Sequence, residues 1–399
     1  MTARAVPVPS RTRWLATGFC VMLGCTGCLP SAASEPVRFT PSERAMILSH
    51  GPWPQQQGRD PSNRFSGNGA AIRFGRALFS DARLSGGGDL SCASCHRPDR
   101  AMTDGLPRAR GRALLDRNTP PIANLADRRW YGWTGQADTL WGQSIRPMLN
   151  PLEMAAAPEL LARRVILSPD LARSYRRIVG RPPSAESPES ILVNIGKMLS
   201  AWQETLVTPA TPFDRFRDAL ARGEDVPADQ FSASARRGLK FFVGEGRCSL
   251  CHFGPGFSND EFHHIGLLHF VDGDRVDPGR HGGLDRYLRS PYTRAGPHSD
   301  EPPRSAAGAP GNFVSRNPDD WGRFRVPSLR NVAATAPYMH DGSLSDLDQV
   351  VGHYNEIDME RLHATGETLL RPMGLDAARI GDLVDFLRTL TGDPVTAYP

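Results

Sequence analysis

The stretch Cys92-Ala-Ser-Cys95-His96 is a CxxCH motif. Two thiols at this spacing can add across the two vinyl groups of one haem, and the adjacent histidine can then bind the iron. A second copy follows at Cys248-Ser-Leu-Cys251-His252, and the two copies use every cysteine outside residues 1–28. The pattern predicts two c-type haems. Structural zinc and redox dithiols are the alternatives, but neither explains the histidine after each pair.

The N-terminus has the features of an export signal. Three arginines and no acidic residue occur in residues 1–28, where an apolar run at 14–24 is too short for a transmembrane helix. We therefore expect a periplasmic protein without a transmembrane helix. A lipid anchor and simple cleavage both remain open, because three cysteines lie in this segment: Cys20, Cys25 and Cys28. The rest of the chain is nearly neutral, which gives no indication of a nucleic-acid partner.

Each CxxCH motif follows a predicted helix. Apolar spacing predicts one helix at 70–79 and a second at 233–243, for which Ser232 is a suitable N-cap. Gly75-Arg-Ala-Leu-Phe79 and Gly238-Leu-Lys-Phe-Phe242 are loosely similar. This weak internal repeat indicates two related haem domains.

The remaining pattern is also helical. Helices are predicted to begin at Ser187-Pro188 and at Ser345, and a last one is predicted at 376–390. No long segment alternates with period two, so the fold class is mainly α, with two cytochrome c-like domains. Other stretches are read as an extended lead-in at 31–68, a charged connector at 211–229 and a long functional or mobile loop at 266–325.

The predicted domain order follows from these elements. We expect a signal segment at 1–28, an N-terminal haem domain at 40–225 and a C-terminal haem domain at 226–399. At 399 residues the chain is long enough for two domains of ordinary size.

Between about residues 74 and 390 the chain resembles the bacterial di-haem cytochrome c peroxidase and MauG superfamily. The resemblance implies one haem in each domain, a calcium ion between the domains, and reaction with hydrogen peroxide. The matching runs are Ala101-Met-Thr-Asp-Gly105, Arg117-Asn-Thr-Pro120, Asn150-Pro-Leu-Glu-Met154, Val326-Pro-Ser-Leu-Arg-Asn331 and Thr335-Ala-Pro-Tyr-Met-His-Asp-Gly342.

For the first haem, bound by His96, the resemblance implies a distal side made of Glu153, Gln143 and Pro147. Peroxide cleavage needs a group that takes a proton from one oxygen and returns it to the other, and a carboxylate such as Glu153 can do both. A solvated surface carboxylate is the alternative. No histidine lies between His96 and His252, where many classical members place one that blocks the iron. Arg110 is near that position, so we expect an open first haem.

The resemblance also assigns residues between the haems. Trp133 matches a tryptophan that bridges the two haems, although its neighbours Gly132, Thr134 and Gln136 depart from the usual pattern. A buried core aromatic is the alternative for Trp133. The calcium ligands fall on the Asn118 side chain and on the carbonyls of Thr335 and Pro337, and such oxygen ligands suit this hard cation.

The sixth ligand of the second haem distinguishes the branches of the superfamily. His252 is the proximal ligand, and the resemblance places the sixth ligand at Tyr354, where MauG-like members carry tyrosine and peroxidases carry methionine. Met339 is the alternative, and His353 is a weaker one. Methionine raises a haem potential, whereas a phenolate stabilises higher iron oxidation states.

We therefore expect a periplasmic di-haem enzyme that reacts with H2O2 at the N-terminal haem. Its oxidising equivalents would pass through Trp133 and the second haem to an external donor or a protein substrate, as in the MauG branch. The alternatives are a conventional peroxidase that takes electrons from a small cytochrome c or copper protein, and a non-enzymatic di-haem electron carrier.

Overall fold

The computed structural model of the chain describes residues 37–56, 58–267, 270–271, 275–361 and 369–392. The predicted signal segment at 1–28 lies outside these residues. The described part is mainly helical, which confirms the predicted fold class. Its α-helices are α1 Pro41–Ser49, α2 Gly69–Phe79, α3 Leu140–Leu149, α4 Pro158–Leu167, α5 Pro169–Val179, α6 Pro188–Gln203, α7 Pro212–Arg222, α8 Ala233–Val243, α9 Arg280–Leu288, α10 Pro303–Ala306, α11 Leu347–Asn355 and α12 Ala377–Arg388.

Strands are short and lie in the second half of the described chain. Two antiparallel ribbons form, one from β1 with β4 and one from β2 with β3, and in the first Phe262 is paired with Arg325. The strands are β1 Phe262–His263, β2 Phe270–Val271, β3 Arg275–Val276 and β4 Phe324–Arg325.

The buried apolar residues form two large clusters. One is built from α2 to α6 and contains the fully buried Leu78, Ile145 and Met198. The other is built from α1, α7, α8, α11 and α12 and contains Phe242 and Phe386. Each CxxCH motif follows a helix of its own cluster, α2 or α8, and these helices pack against α6 and α12 respectively. The domain division at residues 225 and 226 stays a prediction.

Both clusters depend on a glycine in the middle of the helix before the motif. A Cβ added at Gly75 in α2 would lie 2.0 Å from the Met198 carbonyl oxygen of α6. A Cβ added at Gly238 in α8 would lie 2.0 Å from the Asp382 carbonyl oxygen of α12. The glycines therefore allow backbone-to-backbone helix crossings. These two glycines begin the weak sequence repeat, so the repeat marks equivalent packing positions.

Three predictions of irregular structure were wrong, and one of them is the long loop at 266–325, which contains α9 and α10. Helix α1 lies inside the stretch interpreted as an extended lead-in, and α7 lies inside the charged connector. Each begins with a capping box, from Thr40 with Glu43 and from Thr211 with Asp214. In α1 only Ile47 is fully buried, so the helix lacks the apolar stripe by which sequence patterns identify helices.

A buried ion pair joins α7 to the segment after β4. Arg330 donates two hydrogen bonds to Asp214, at 2.9 and 3.0 Å, and both side chains are essentially unexposed. The guanidinium also lies 3.7 Å from the ring centroid of Trp53. Removing one member of such a pair leaves an uncompensated buried charge.

Substitution Asp214→Asn is therefore expected to lower the free energy of unfolding by about 3 to 5 kcal/mol. Chemical denaturation of the haem-loaded protein would measure the loss. Glu224→Gln is the matched control, because the Arg222–Glu224 pair is more than half exposed and is expected to contribute little to stability. Equal stability of the two variants would contradict the prediction.

Candidate functional site

The two CxxCH motifs adopt the same turn. Each begins with a short 3-10 helix, Cys92–Ser94 or Cys248–Leu250. The amide of His96 donates to the Cys92 carbonyl at 2.9 Å, and the amide of His252 donates to the Cys248 carbonyl at 2.9 Å. The turn therefore places two thiols and one imidazole together at each site, as covalent haem attachment requires.

Each motif histidine is oriented by a backbone carbonyl. The Nδ1 atom of His96 lies 3.1 Å from the Met102 oxygen, and that of His252 lies 3.1 Å from the Phe257 oxygen. Met102 and Phe257 both have positive φ, 63° and 49°, a conformation uncommon for such side chains. With Nδ1 used in this way, Nε2 of each ring is the atom that can bind iron.

The thiols fit haem attachment better than the alternatives. Burial raises the pKa of Cys92 to about 12 and that of Cys248 to about 12, whereas redox dithiols depend on a lowered pKa. Within the described residues, no group of three or more His, Cys, Asp and Glu side chains is arranged to hold a metal ion directly. Neither a thiolate pair nor a cysteine-rich zinc site is supported.

A cavity of about 760 Å³ lies against the second motif. The motif residues Cys248, Cys251 and His252 line this cavity. The predicted bridging residue Trp133 and the two candidate sixth ligands, Tyr354 and Met339, line it as well. Burial raises the pKa of Tyr354 well above its usual value, and the nearby Cys251 and Cys248 act in the same direction. The phenol of Tyr354 therefore lies close to the two thiols. His353 contacts the Ile265 carbonyl at 2.8 Å and lies on another side of α11.

Two arginines at the wall of this cavity share one carboxylate. Asp260 Oδ1 accepts a hydrogen bond from Arg128 at 3.2 Å and from Arg325 at 3.0 Å, and all three side chains are nearly buried. The wall therefore carries an excess of positive charge. Since buried charges are normally paired, this wall suits the carboxylate groups of a porphyrin.

At the first site, Glu153 is held by two neighbours. Arg146 donates to Glu153 Oε1 at 2.6 Å, and Asn150 donates to the same oxygen at 2.7 Å. Glu153 also acts electrostatically on Cys92, Cys95 and His96, so it lies near the first motif. Both donors bind one oxygen, and Oε2 is left for proton exchange.

Helix α3 carries the other two predicted distal residues. Gln143 and Pro147 are four residues apart and lie on one face of the helix. The Oε1 atom of Gln143 is buried and has no hydrogen-bond partner in the described part of the chain. An unpaired buried acceptor is costly, and a bound ligand with an O–H group would satisfy it.

The loop that carries Arg110 closes over this site. The Arg110 carbonyl lies 3.9 Å from Cys95 Sγ, while the Arg110 side chain is exposed. The amides of Arg112 and Ala113 donate to the carbonyls of Glu153 and Leu152, at 3.0 and 3.1 Å. The loop therefore helps to fix Glu153.

Trp133 and the predicted calcium ligands line the same cavity as the second motif. The indole Nε1 of Trp133 donates to the Asn118 carbonyl at 2.9 Å. Asn118 donates its side-chain amide to the Leu106 carbonyl at 2.9 Å, so its side-chain oxygen is the atom that could bind a cation. Thr335 and Pro337, the other two predicted ligands, also line the cavity.

Sequence reasoning missed several residues at the second site. The ring of His50, which follows α1, places Nε2 3.1 Å from the carbonyl of His252, and its centroid lies 4.5 Å from that of the Phe257 ring, with the two planes tilted. Arg128 and Asp260 were missed as well. No motif signals these residues, because their contacts span 132 and 202 positions of the chain.

Comparisons with known proteins agree with this geometry. A family model described as di-haem cytochrome c peroxidase matches residues 69–222. The methylamine utilization protein MauG of Methylorubrum extorquens is 33% identical over 325 residues, which cover 81% of this chain and 78% of that protein. The cytochrome c551 peroxidase of Nitrosomonas europaea is 28% identical over 328 residues, which cover 82% and 81%. A MauG-like protein associated with microbial copper homeostasis has a crystal structure with a TM-score of 0.63 at 28% identity, covering 88% of this chain and 98% of that one.

This chain belongs to the di-haem cytochrome c peroxidase and MauG family. It is therefore a di-haem peroxidase-type oxidoreductase with two cytochrome c-like domains, and the alternative of a non-enzymatic carrier was wrong. Family membership implies two c-type haems, hydrogen peroxide as a substrate and an electron donor. Among the described helices, none has the length and apolarity to span a bilayer.

We expect the double substitution Cys92→Ala with Cys95→Ala to halve the pyridine haemochrome signal per chain, because one pair of thioether bonds can no longer form. The pair Cys248→Ala with Cys251→Ala should do the same. Ser94→Ala, in the same turn but without a thiol, should keep the full signal. A full signal from either double variant would contradict the assignment.

Proposed function

We propose that this chain is a periplasmic oxidoreductase of the MauG-like branch. It would react with H2O2 at the N-terminal haem and pass oxidising equivalents through Trp133 and the second haem to an external donor or a protein substrate. The observation that carries the proposal is the position of Tyr354, which shares one cavity with His252 and both thiols of the second motif. The 33% identity to a MauG protein supports the same branch.

The haems, when bound, would supply the iron redox chemistry, with His96 and His252 as proximal ligands. The protein supplies proton transfer at the first site. Glu153 is fixed through Oε1 by Arg146 and Asn150, so Oε2 can take a proton from one oxygen of peroxide and return it to the other. Gln143 Oε1 is a buried acceptor that can orient the O–H group of peroxide, and Pro147 narrows the same face.

The surroundings of Trp133 suit the relay of oxidising equivalents that we propose. Trp133 is fixed by the hydrogen bond from its indole to Asn118, and the Arg325 amide donates to the Trp133 carbonyl at 2.8 Å. An ordered indole at the wall of the second cavity is a suitable relay. We also propose calcium at Asn118, Thr335 and Pro337, where it would stabilise the segment that carries this indole.

A conventional cytochrome c peroxidase is the second candidate, and one observation favours it. Met339 lines the same cavity as Tyr354 and has a positive φ of 71°. If Met339 were the sixth ligand, the second haem would have a higher potential and would accept electrons from a small cytochrome c or copper protein.

The variant Glu153→Gln is expected to lower kcat/KM for peroxide by about a hundredfold or more, because the amide cannot exchange the proton. The amide oxygen still accepts the hydrogen bonds of Arg146 and Asn150. Stopped-flow mixing with peroxide would measure the rate. The control is Glu159→Gln, an exposed residue of α4 that should leave the rate unchanged. A rate for Glu153→Gln near that of the control would contradict the role.

The variant Tyr354→Phe is expected to change the absorption and low-spin EPR signals of the second haem, since it removes the proposed ligand oxygen. Tyr338→Phe is the matched control, because Tyr338 lines the same cavity but donates to the Val332 carbonyl at 3.0 Å. Met339→Leu distinguishes the two candidate functions. A spectrum that changes with Met339→Leu and not with Tyr354→Phe would favour the conventional peroxidase.

A further inference from the structure

We propose that the buried guanidinium of Arg280 protects Trp130 from oxidation and thereby confines oxidising equivalents to Trp133. The proposal rests on the proposed function of Trp133 as a relay. It also gives a role to α9, which lies in the long loop whose role the sequence left open.

Trp130 is a potential competitor of Trp133. The two indoles are three residues apart in the chain, and Trp130 is buried, with 3% of its surface exposed. A nearby oxidant that is strong enough to take an electron from one indole can also oxidise the other. Some feature of the structure must therefore make the two rings different.

The difference is a cation over one ring. The guanidinium carbon of Arg280 lies 4.1 Å from the centroid of Trp130 and 4.0 Å from that of Phe262, so the cation lies close to both rings. A cation at the face of an indole is attracted by the neutral ring and opposes the positive charge that forms when the ring loses an electron. Within the described residues, no cation lies over Trp133, whose indole N–H donates to a carbonyl.

The charge of Arg280 is not neutralised by a direct partner. Its Nη1 donates to the carbonyls of Thr134 and Gly135, at 3.2 and 2.6 Å, and no carboxylate forms an ion pair with it in the described part of the chain. Burial lowers the pKa of Arg280 to about 10, so the group remains a cation at neutral pH.

At two other tryptophans, the nearby cation is paired with a carboxylate. Arg330 over Trp53 is paired with Asp214, and Lys197, 5.0 Å from the Trp141 ring, is paired with Asp300 at 2.6 Å. A paired cation exerts a weaker field on the ring than an unpaired one. The protection at Trp130 is therefore the strongest of the three.

If Trp130 were oxidised, the oxidising equivalent would move to a buried tyrosine and be lost to the external donor. The ring of Tyr287 meets Trp130 edge-on at 5.3 Å, and the Tyr287 hydroxyl donates to Asp138 Oδ2 at 3.0 Å. Oxidised Trp130 could take one electron from Tyr287 while the phenolic proton passes to the Asp138 carboxylate, which leaves a neutral tyrosyl radical. Tyr287 is 5% exposed, so this radical would be remote from any external donor.

The test compares Arg280→Gln with Arg280→Lys in the haem-loaded protein. Both changes remove the guanidinium fork, but only the first removes the charge. After treatment with peroxide and no donor, peptide mapping would measure oxygen addition at Trp130 and Tyr287. We expect roughly tenfold more oxidation in Arg280→Gln than in wild type, in line with the loss of a desolvated cation–π contact. Arg280→Lys should stay near wild type. Equal oxidation of the two variants, or no increase in either, would overturn the proposal.

Trp130→Phe provides a measurement that does not depend on the folding of Arg280 variants. Because Trp130 carries no oxidising equivalents in our proposal, this variant should oxidise an external donor at the wild-type rate. A large loss of rate would show that Trp130 is itself a carrier, which would overturn the proposal. Trp133→Phe tests the underlying function separately. If it kept full activity, the relay would fail while the two Arg280 variants would still report on protection of Trp130.

Discussion

The close crossing of helix backbones at Gly75 and Gly238 is the constraint on which both haem sites depend. In each case a side chain at the glycine would collide with a carbonyl of the facing helix, α6 or α12. The crossing fixes the direction in which α2 or α8 ends, and the CxxCH turn follows a short distance beyond. The proximal histidine is then fixed by a second backbone contact, to Met102 or Phe257. A weak sequence repeat thus corresponds to a strict packing requirement.

The helices that were predictable from sequence are those whose apolar stripe faces the core of the same cluster. The structure places α2, α8 and α12 within one or two residues of the predicted bounds. Helices α1 and α7 were missed because their stability comes from capping boxes and from contacts that do not repeat along the chain. Asp214 illustrates this, since the same carboxylate caps α7 and binds Arg330, 116 residues later.

The functional site divides in the same way into residues that the local sequence predicts and residues that it does not. The thiols and proximal histidines were readable from spacing alone, because the CxxCH turn is local. Glu153, Gln143 and Trp133 needed the family resemblance, since a lone carboxylate, amide or indole has no distinctive spacing. Neither motif spacing nor the family resemblance predicted the charged wall formed by Arg128, Arg325 and Asp260. These residues come from three segments that only the folded chain brings together.

The docking of α1 onto α7 and α8 has a consequence for how the chain matures. This helix is synthesised early. Its packing partners α7 and α8 begin at residues 212 and 233, so they are always made later than α1. At roughly 5 to 20 residues per second, α1 waits on the order of ten seconds before they are made. The core around the second motif therefore closes only when both an early and a late segment are present. A chain cut short by interrupted translation would leave that core open, and proteases could recognise it as incomplete.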